Sequence, residues 1–157
     1  IKSFSKSNIK NVDLLIIGEG KEKEKLKKLI NDLNMGHKVK LLGNIKNPYP
    51  FYNKAKGLVM VSNYEGSPNV LWEAISCGLP CIISDRIYGA LEMFDTKKPY
   101  IVSKHNNEKE LIKNMKKVIK YNRAIKMKLK KSTIFFEKFD PIKIFKTWDR
   151  IIYSDQK

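Results

Sequence analysis

Apolar residues fall along this chain in short runs, separated by longer stretches with helical periodicity. Asp13-Leu14-Leu15-Ile16-Ile17-Gly18 ends on glycine, as a strand buried in a parallel sheet does. From Glu22 to Leu33, residues Leu26, Leu29, Ile30 and Leu33 share one helical stripe, and Gly36 is the expected stop. Val39-Lys40-Leu41-Leu42-Gly43 predicts a second strand, again closed by glycine. Pro48 to Lys56 predicts a short helix, Leu58 to Ser62 a third strand, Val70 to Cys77 a helix and Pro80 to Ser84 a fourth strand. Tyr100-Ile101-Val102 is a weaker fifth. Beyond Glu108 the period stays helical, with Leu111, Met115, Val118 and Ile119 on one stripe. A strongly basic helix is expected near Arg123 to Lys138. Asp140-Pro141 opens a last helix carrying Phe145, Trp148, Ile151 and Ile152.

Strands alternating with helices predict an α/β fold: a Rossmann-like, mostly parallel sheet with helices on both faces, then a helical C-terminal tail. The 157 residues fit one domain, with 123–157 as a helical appendage. Ligands of such sheets sit beyond the carboxyl ends of the strands. That directs attention to the loops after Ile17, Leu42, Ser62 and Ser84. Gly18-Glu19-Gly20 imitates the start of a dinucleotide fingerprint, but the third glycine position holds Lys23, so Rossmann cofactor binding is not expected.

The loop after Ser62 carries Tyr64-Glu65-Gly66-Ser67-Pro68-Asn69-Val70-Leu71-Trp72-Glu73. Ser67-Pro68 predicts a helix start, with serine as cap and proline at the first helical position. The first amides of that helix lack internal partners, and the helix dipole favours an anion there. Gly66 lets a ligand approach the backbone closely. Glu73 lies roughly 7–8 Å along the axis from Pro68, and its side chain leans back toward the start. Its carboxylate suits two vicinal hydroxyls, as on a ribose. Glu65, on the other side of the start, suits hydroxyls of a sugar on a distal phosphate. From spacing alone, two solvated helix-end charges are the favoured reading of these glutamates.

Composition narrows the classes. With 42% hydrophobic and 31% charged residues the chain is globular. No apolar run approaches ~18 residues, and no leader pattern opens the chain, so neither a membrane span nor a signal peptide is expected. Cys77 and Cys81 lie in an apolar stretch and read as small buried hydrophobes in a reducing, cytoplasmic setting. His37 and His105 stand alone, and no metal-ligand spacing occurs. The net charge of +16 favours phosphate-bearing partners. Basic helices such as Lys126 to Lys131 read first as solvated faces, with peripheral contact with an anionic membrane as the second reading. A nucleic-acid module predicts basic and aromatic residues interleaved on one face; the aromatics here fall at core-like helical positions instead.

The pattern E-x7-E from Glu65 to Glu73, written EGSPNVLWE, resembles the donor-binding motif of the GT-B glycosyltransferases of family 4. LLIIGEG, VKLLGNI and LVMVSNYEGSPNVLWEA occur in that family's order, and the likeness covers about residues 8 to 121. It implies a retaining enzyme that takes a nucleotide-diphospho-sugar as donor, with no metal or other cofactor. It implies that Glu73 binds the ribose and that Glu65 contacts the transferred sugar. Gly66, Ser67, Pro68, Asn69 and Val70 would meet the distal phosphate and sugar, Gly18 the phosphates, and Asn44 and Ile45 the base. The family's complete donor domain begins with a strand ending in a glycine-arginine turn, followed by a lysine. Neither is present here, and Ile1 to Lys6 match the tail of the next helix. The resemblance therefore implies a partial carboxyl-terminal half of a GT-B fold, its central first strand missing. The amino-terminal acceptor-binding domain would be its partner, and the piece alone would be inactive. A polysaccharide or glycolipid pathway would be its setting. The alternative is a noncatalytic nucleotide-binding or basic nucleic-acid-binding domain.

Overall fold

The computed structural model describes residues 1–65, 68–87 and 100–120. Its elements run α1 (Lys2–Lys6), β1 (Leu14–Ile17), α2 (Lys23–Asp32), β2 (Val39–Gly43), α3 (Tyr49–Lys54), β3 (Leu58–Met60), α4 (Asn69–Ser76), β4 (Cys81–Ser84), β5 (Tyr100–Ser103) and α5 (Glu108–Lys120). All named strand pairs are parallel: β1 with β2, β3 with β4, and β4 with β5. The α/β, Rossmann-like expectation is met. The expected helices within 123–157 lie outside the described residues.

The strands form two sheets, β1-β2 and β3-β4-β5, rather than one. Beneath one face, α3 and α4 pack on the second sheet through Tyr52, Leu71, Ala74, Ile75, Leu79, Cys81 and Ile83. Under the other, α1, α2 and α5 share a core that draws on both sheets, from Val39, Leu14 and Ile16 to Ile82 and Ile101. Lys6 in α1 donates to Glu108 at the start of α5 at 2.6 Å, which adds a polar tie to that core. β4 is buried at all four positions, as a strand covered on both faces must be. Full burial of Leu71, Ile75 and Ile83 stabilises the fold by roughly 1.5–3 kcal/mol each.

A cavity of about 860 Å³ lies between the two sheets, lined by Leu14, Leu15 and Ile17 of β1 and by Leu58 and Val59 of β3. Leu15, Ile17 and Val59 are each more than one-third exposed. Among the described residues β1 pairs only with β2, and β3 only with β4, so each presents a free edge.

Boundaries show where local chemistry overrode the pattern. The stop after α2 is Asn34, not Gly36. Asn34 takes φ +52°, and the amides of Asn34 and Met35 donate to Asn31 and Ile30 at 2.9 Å each. That is a Schellman cap, and asparagine tolerates the left-handed turn it needs. The same cap closes α4 on Gly78, φ +69°. β3 ends at Met60, two residues short of expectation, because its ladder with β4 stops at Met60–Ile83. The weak fifth strand is a full four-residue strand, in register with β4 from Cys81–Tyr100 to Ser84–Ser103.

Candidate functional site

The α4 start lies one residue beyond the predicted one. Pro68 is the cap rather than the first helical residue, because its ψ of +70° is not helical. Its carbonyl accepts from the amides of Leu71 at 2.8 Å and Trp72 at 3.2 Å. Asn69 and Val70, both exposed, precede that first helical bond. Proline serves here through its carbonyl alone and offers no side-chain oxygen to the first amides. Gly66 and Ser67 lie outside the described residues. Glu65, half-buried, stands on the connection from β3 to α4.

Glu73 sits one turn into α4 and is half-buried. The hydroxyl of Tyr52, on α3, donates to Glu73 Oε2 at 2.9 Å. Tyr52 is only 7% exposed, so packing fixes its ring and the hydroxyl has little choice of direction. Burial and the bond to the carboxylate push the phenol well above its ordinary range, which keeps it a donor at neutral pH. Among the described residues no other hydrogen bond to the Glu73 carboxylate occurs, which leaves most of its acceptor capacity open. Tyr52 was not singled out from sequence. A buried tyrosine needs a partner for its hydroxyl, and that rule could have flagged it.

The other predicted residues form a second group at the carboxyl ends of β1 and β2. The Gly18 amide donates to the Gly43 carbonyl at 2.7 Å. Gly18 and Gly43 have φ +126° and +70°, conformations that favour glycine. A small cavity of about 190 Å³ opens beside them, lined also by Glu19, Gly20 and Lys23. Asn44, exposed, and Ile45, half-buried, follow directly. The larger cavity between the sheets contains none of the predicted site residues, although Tyr52 lines it.

At the ends of β4 and β5, the His105 amide donates to Asp85 Oδ1 at 2.8 Å, pinning these two loops together. Cys81 is buried, and burial pushes its thiol pKa far up. Cys77 is half-buried and also a free thiol. Among the described residues no cluster of three or more His, Cys, Asp or Glu side chains could hold a metal ion. Nor is any described helix long and apolar enough to cross a membrane.

The sequence pattern of the family described as Glycosyl transferases group 1 matches residues 1–134. The chain belongs to that family. Among curated relatives of this glycosyltransferase chain is a Campylobacter jejuni N-acetylgalactosamine-N,N'-diacetylbacillosaminyl-diphospho-undecaprenol 4-alpha-N-acetylgalactosaminyltransferase. It is 31% identical over 134 residues, 85% of this chain and 37% of that protein. A Bacillus subtilis poly(glycerol-phosphate) alpha-glucosyltransferase is 34% identical over 112 residues, 69% of this chain and 17% of that protein. The chain thus spans well under half the length of these relatives. Among solved structures, a mutant of Staphylococcus aureus TarM in complex with fondaparinux, alpha-GlcNAc-glycerol and UDP has a TM-score of 0.81. Its identity is 22%, over 96% of this chain and 31% of that one. Anabaena HepE in complex with UDP gives 0.78 at 19% identity, over 98% of this chain and 43% of that one. These likenesses establish the shared fold.

Proposed function

We propose that this chain is the donor-binding half of a retaining, family 4 glycosyltransferase. The enzyme transfers a sugar from a nucleotide-diphospho-sugar to a glycan or lipid-linked acceptor in surface polysaccharide or glycolipid assembly. The observation that carries this reading is the Glu73 carboxylate, held one turn inside α4 by the buried Tyr52 hydroxyl. Family membership and the two neighbours solved with UDP support it. Glu73 takes the ribose, the amides at the α4 start take the distal phosphate, and Glu65 positions the transferred sugar.

Transfer breaks the bond between the anomeric carbon and the phosphate oxygen. Negative charge gathers on the departing diphosphate while the sugar gains oxocarbenium character. Preorganised donors at the leaving group supply the main stabilisation. The α4 start, where Asn69 and Val70 are exposed, is assigned as such a donor set, and no metal is assigned to the step. Glu65 and Glu73 address opposite ends of the donor, unlike the paired carboxylates that flank one bond in a glycoside hydrolase.

The free edges of β1 and β3, with exposed Leu15, Ile17 and Val59 between them, suit one further parallel strand. A partial donor domain that works with an amino-terminal acceptor domain accounts for this cavity. On that reading these 157 residues alone transfer no sugar. Enzyme of full length should be screened against nucleotide-diphospho-sugars, with the anomeric configuration of the product read by NMR. A retained configuration, with turnover lost in Glu65→Ala and Glu73→Ala, is the expected result. Inversion rejects the retaining assignment, and unchanged turnover in both variants rejects the assigned roles.

A further inference from the structure

We infer that Tyr52 is a positioning residue that sets ribose recognition by aiming the Glu73 carboxylate. The inference rests on the donor-site reading of Glu73 but assigns a role to a residue outside the E-x7-E motif. Three observations converge on it. The Tyr52 hydroxyl reaches Glu73 Oε2 at 2.9 Å, across 21 residues of sequence and between two helices. The Tyr52 ring is 7% exposed and belongs to the same core as Leu71, Ala74 and Ile75 on the inner side of α4. The ring of Tyr49 meets it edge to face at 5.9 Å, which further limits its rotation.

A glutamate on a helix has three rotatable bonds, and a half-buried one is not fixed by packing alone. A single donor at Oε2 selects one rotamer and leaves Oε1, with the remaining lone pair of Oε2, to accept from two neighbouring hydroxyls. No described cation competes for the carboxylate, so its direction depends on this one neutral donor. Tyr52 also lines the cavity between the sheets, together with Phe51 and Ala55 of its own helix region.

Tyr52→Phe removes the hydroxyl and keeps the ring. The test is calorimetric titration of the protein at full length with whichever of UDP, GDP and ADP binds tightest, and with its 2′-deoxy and 3′-deoxy counterparts. Tyr52→Phe should melt close to the parent and lose roughly tenfold in affinity for the ribonucleotide. It should lose much less for the deoxy forms, so that ribose discrimination shrinks. A merely structural role would lower all affinities together. Glu73→Ala serves as the reference. If it abolishes discrimination while Tyr52→Phe leaves discrimination intact or tightens binding, the positioning role is overturned and the donor site stands. If Glu73→Ala changes neither affinity nor discrimination, the donor-site reading itself fails.

Discussion

Gly57 is a tight joint of the fold, and substituting it gives a quantitative test. It precedes β3 and sits beneath α5. A Cβ built there would press on Val118 Cγ1 and lie 3.1 Å from the Pro80 carbonyl oxygen. Val118 is 3% exposed and borders the large cavity lined by β1 and β3. The Pro80 carbonyl already accepts the Leu58 amide at 2.9 Å, the bond that begins the β3–β4 ladder. Relief comes from a strained turn of Val118 toward that cavity, with a shift of α5 or of the ladder at the Pro80 carbonyl. Overpacking of this kind costs about 1–3 kcal/mol, and the entropy that alanine removes from the unfolded chain returns about 0.4–1 kcal/mol. A net loss of about 1–2 kcal/mol lowers the melting temperature of a protein this size by roughly 2–8 °C. Gly36→Ala is the matched control: its Cβ would meet nothing within 4 Å, so it should melt at or slightly above the parent. Scanning calorimetry of Gly57→Ala, Val118→Ala and the double variant provides the readout. The double variant should melt higher than additivity predicts, because shortening Val118 makes room for the new methyl. Simple additivity, or a Gly57→Ala variant as stable as the parent, would refute the packing argument.

Other outcomes follow from the same geometry. The hydrogen bond from Lys6, with its charge, holds the Glu108 carboxyl below its ordinary range. A depressed folded pKa contributes stability that is complete above the unfolded carboxyl range and disappears as pH falls through the folded value. Glu108→Gln should therefore be less stable than the parent at neutral pH, and the two should converge as the pH drops from about 5 to about 3; a constant difference across that window contradicts the pairing. Cys77 should react with a thiol reagent in the native protein while Cys81 reacts only on unfolding, because Cys81 is 1% exposed and its thiol pKa is pushed up. Equal rates, read by peptide mass spectrometry, contradict the described core.

Strand and helix order was legible because each apolar run is short and bounded by glycine or proline, and because the α2 and α5 stripes have a clear helical period. The ends were harder. Gly36 offered the obvious stop after α2, but Asn34 came two residues sooner and accepts the same left-handed turn. At the α4 start a serine followed by proline predicted a serine cap, whereas the backbone angles put Pro68 there. The E-x7-E motif singled out both glutamates as candidates, since family resemblance attaches to local sequence. Tyr52 stayed hidden for the opposite reason: its bond to Glu73 exists only once α3 and α4 pack together. The division into two sheets was likewise invisible in the periodicity of β1 and β3, whose apolar runs read the same whether one edge is paired or two.

The most direct test of the proposed donor site is isothermal titration of the full-length protein and its Glu73→Ala variant with a nucleotide-diphospho-sugar and, separately, with single-stranded oligonucleotide. Saturable binding of the nucleotide-sugar that is lost in Glu73→Ala, with weak oligonucleotide binding unaffected by the variant, is the predicted result. Equal nucleotide-sugar affinity in both proteins would contradict the account.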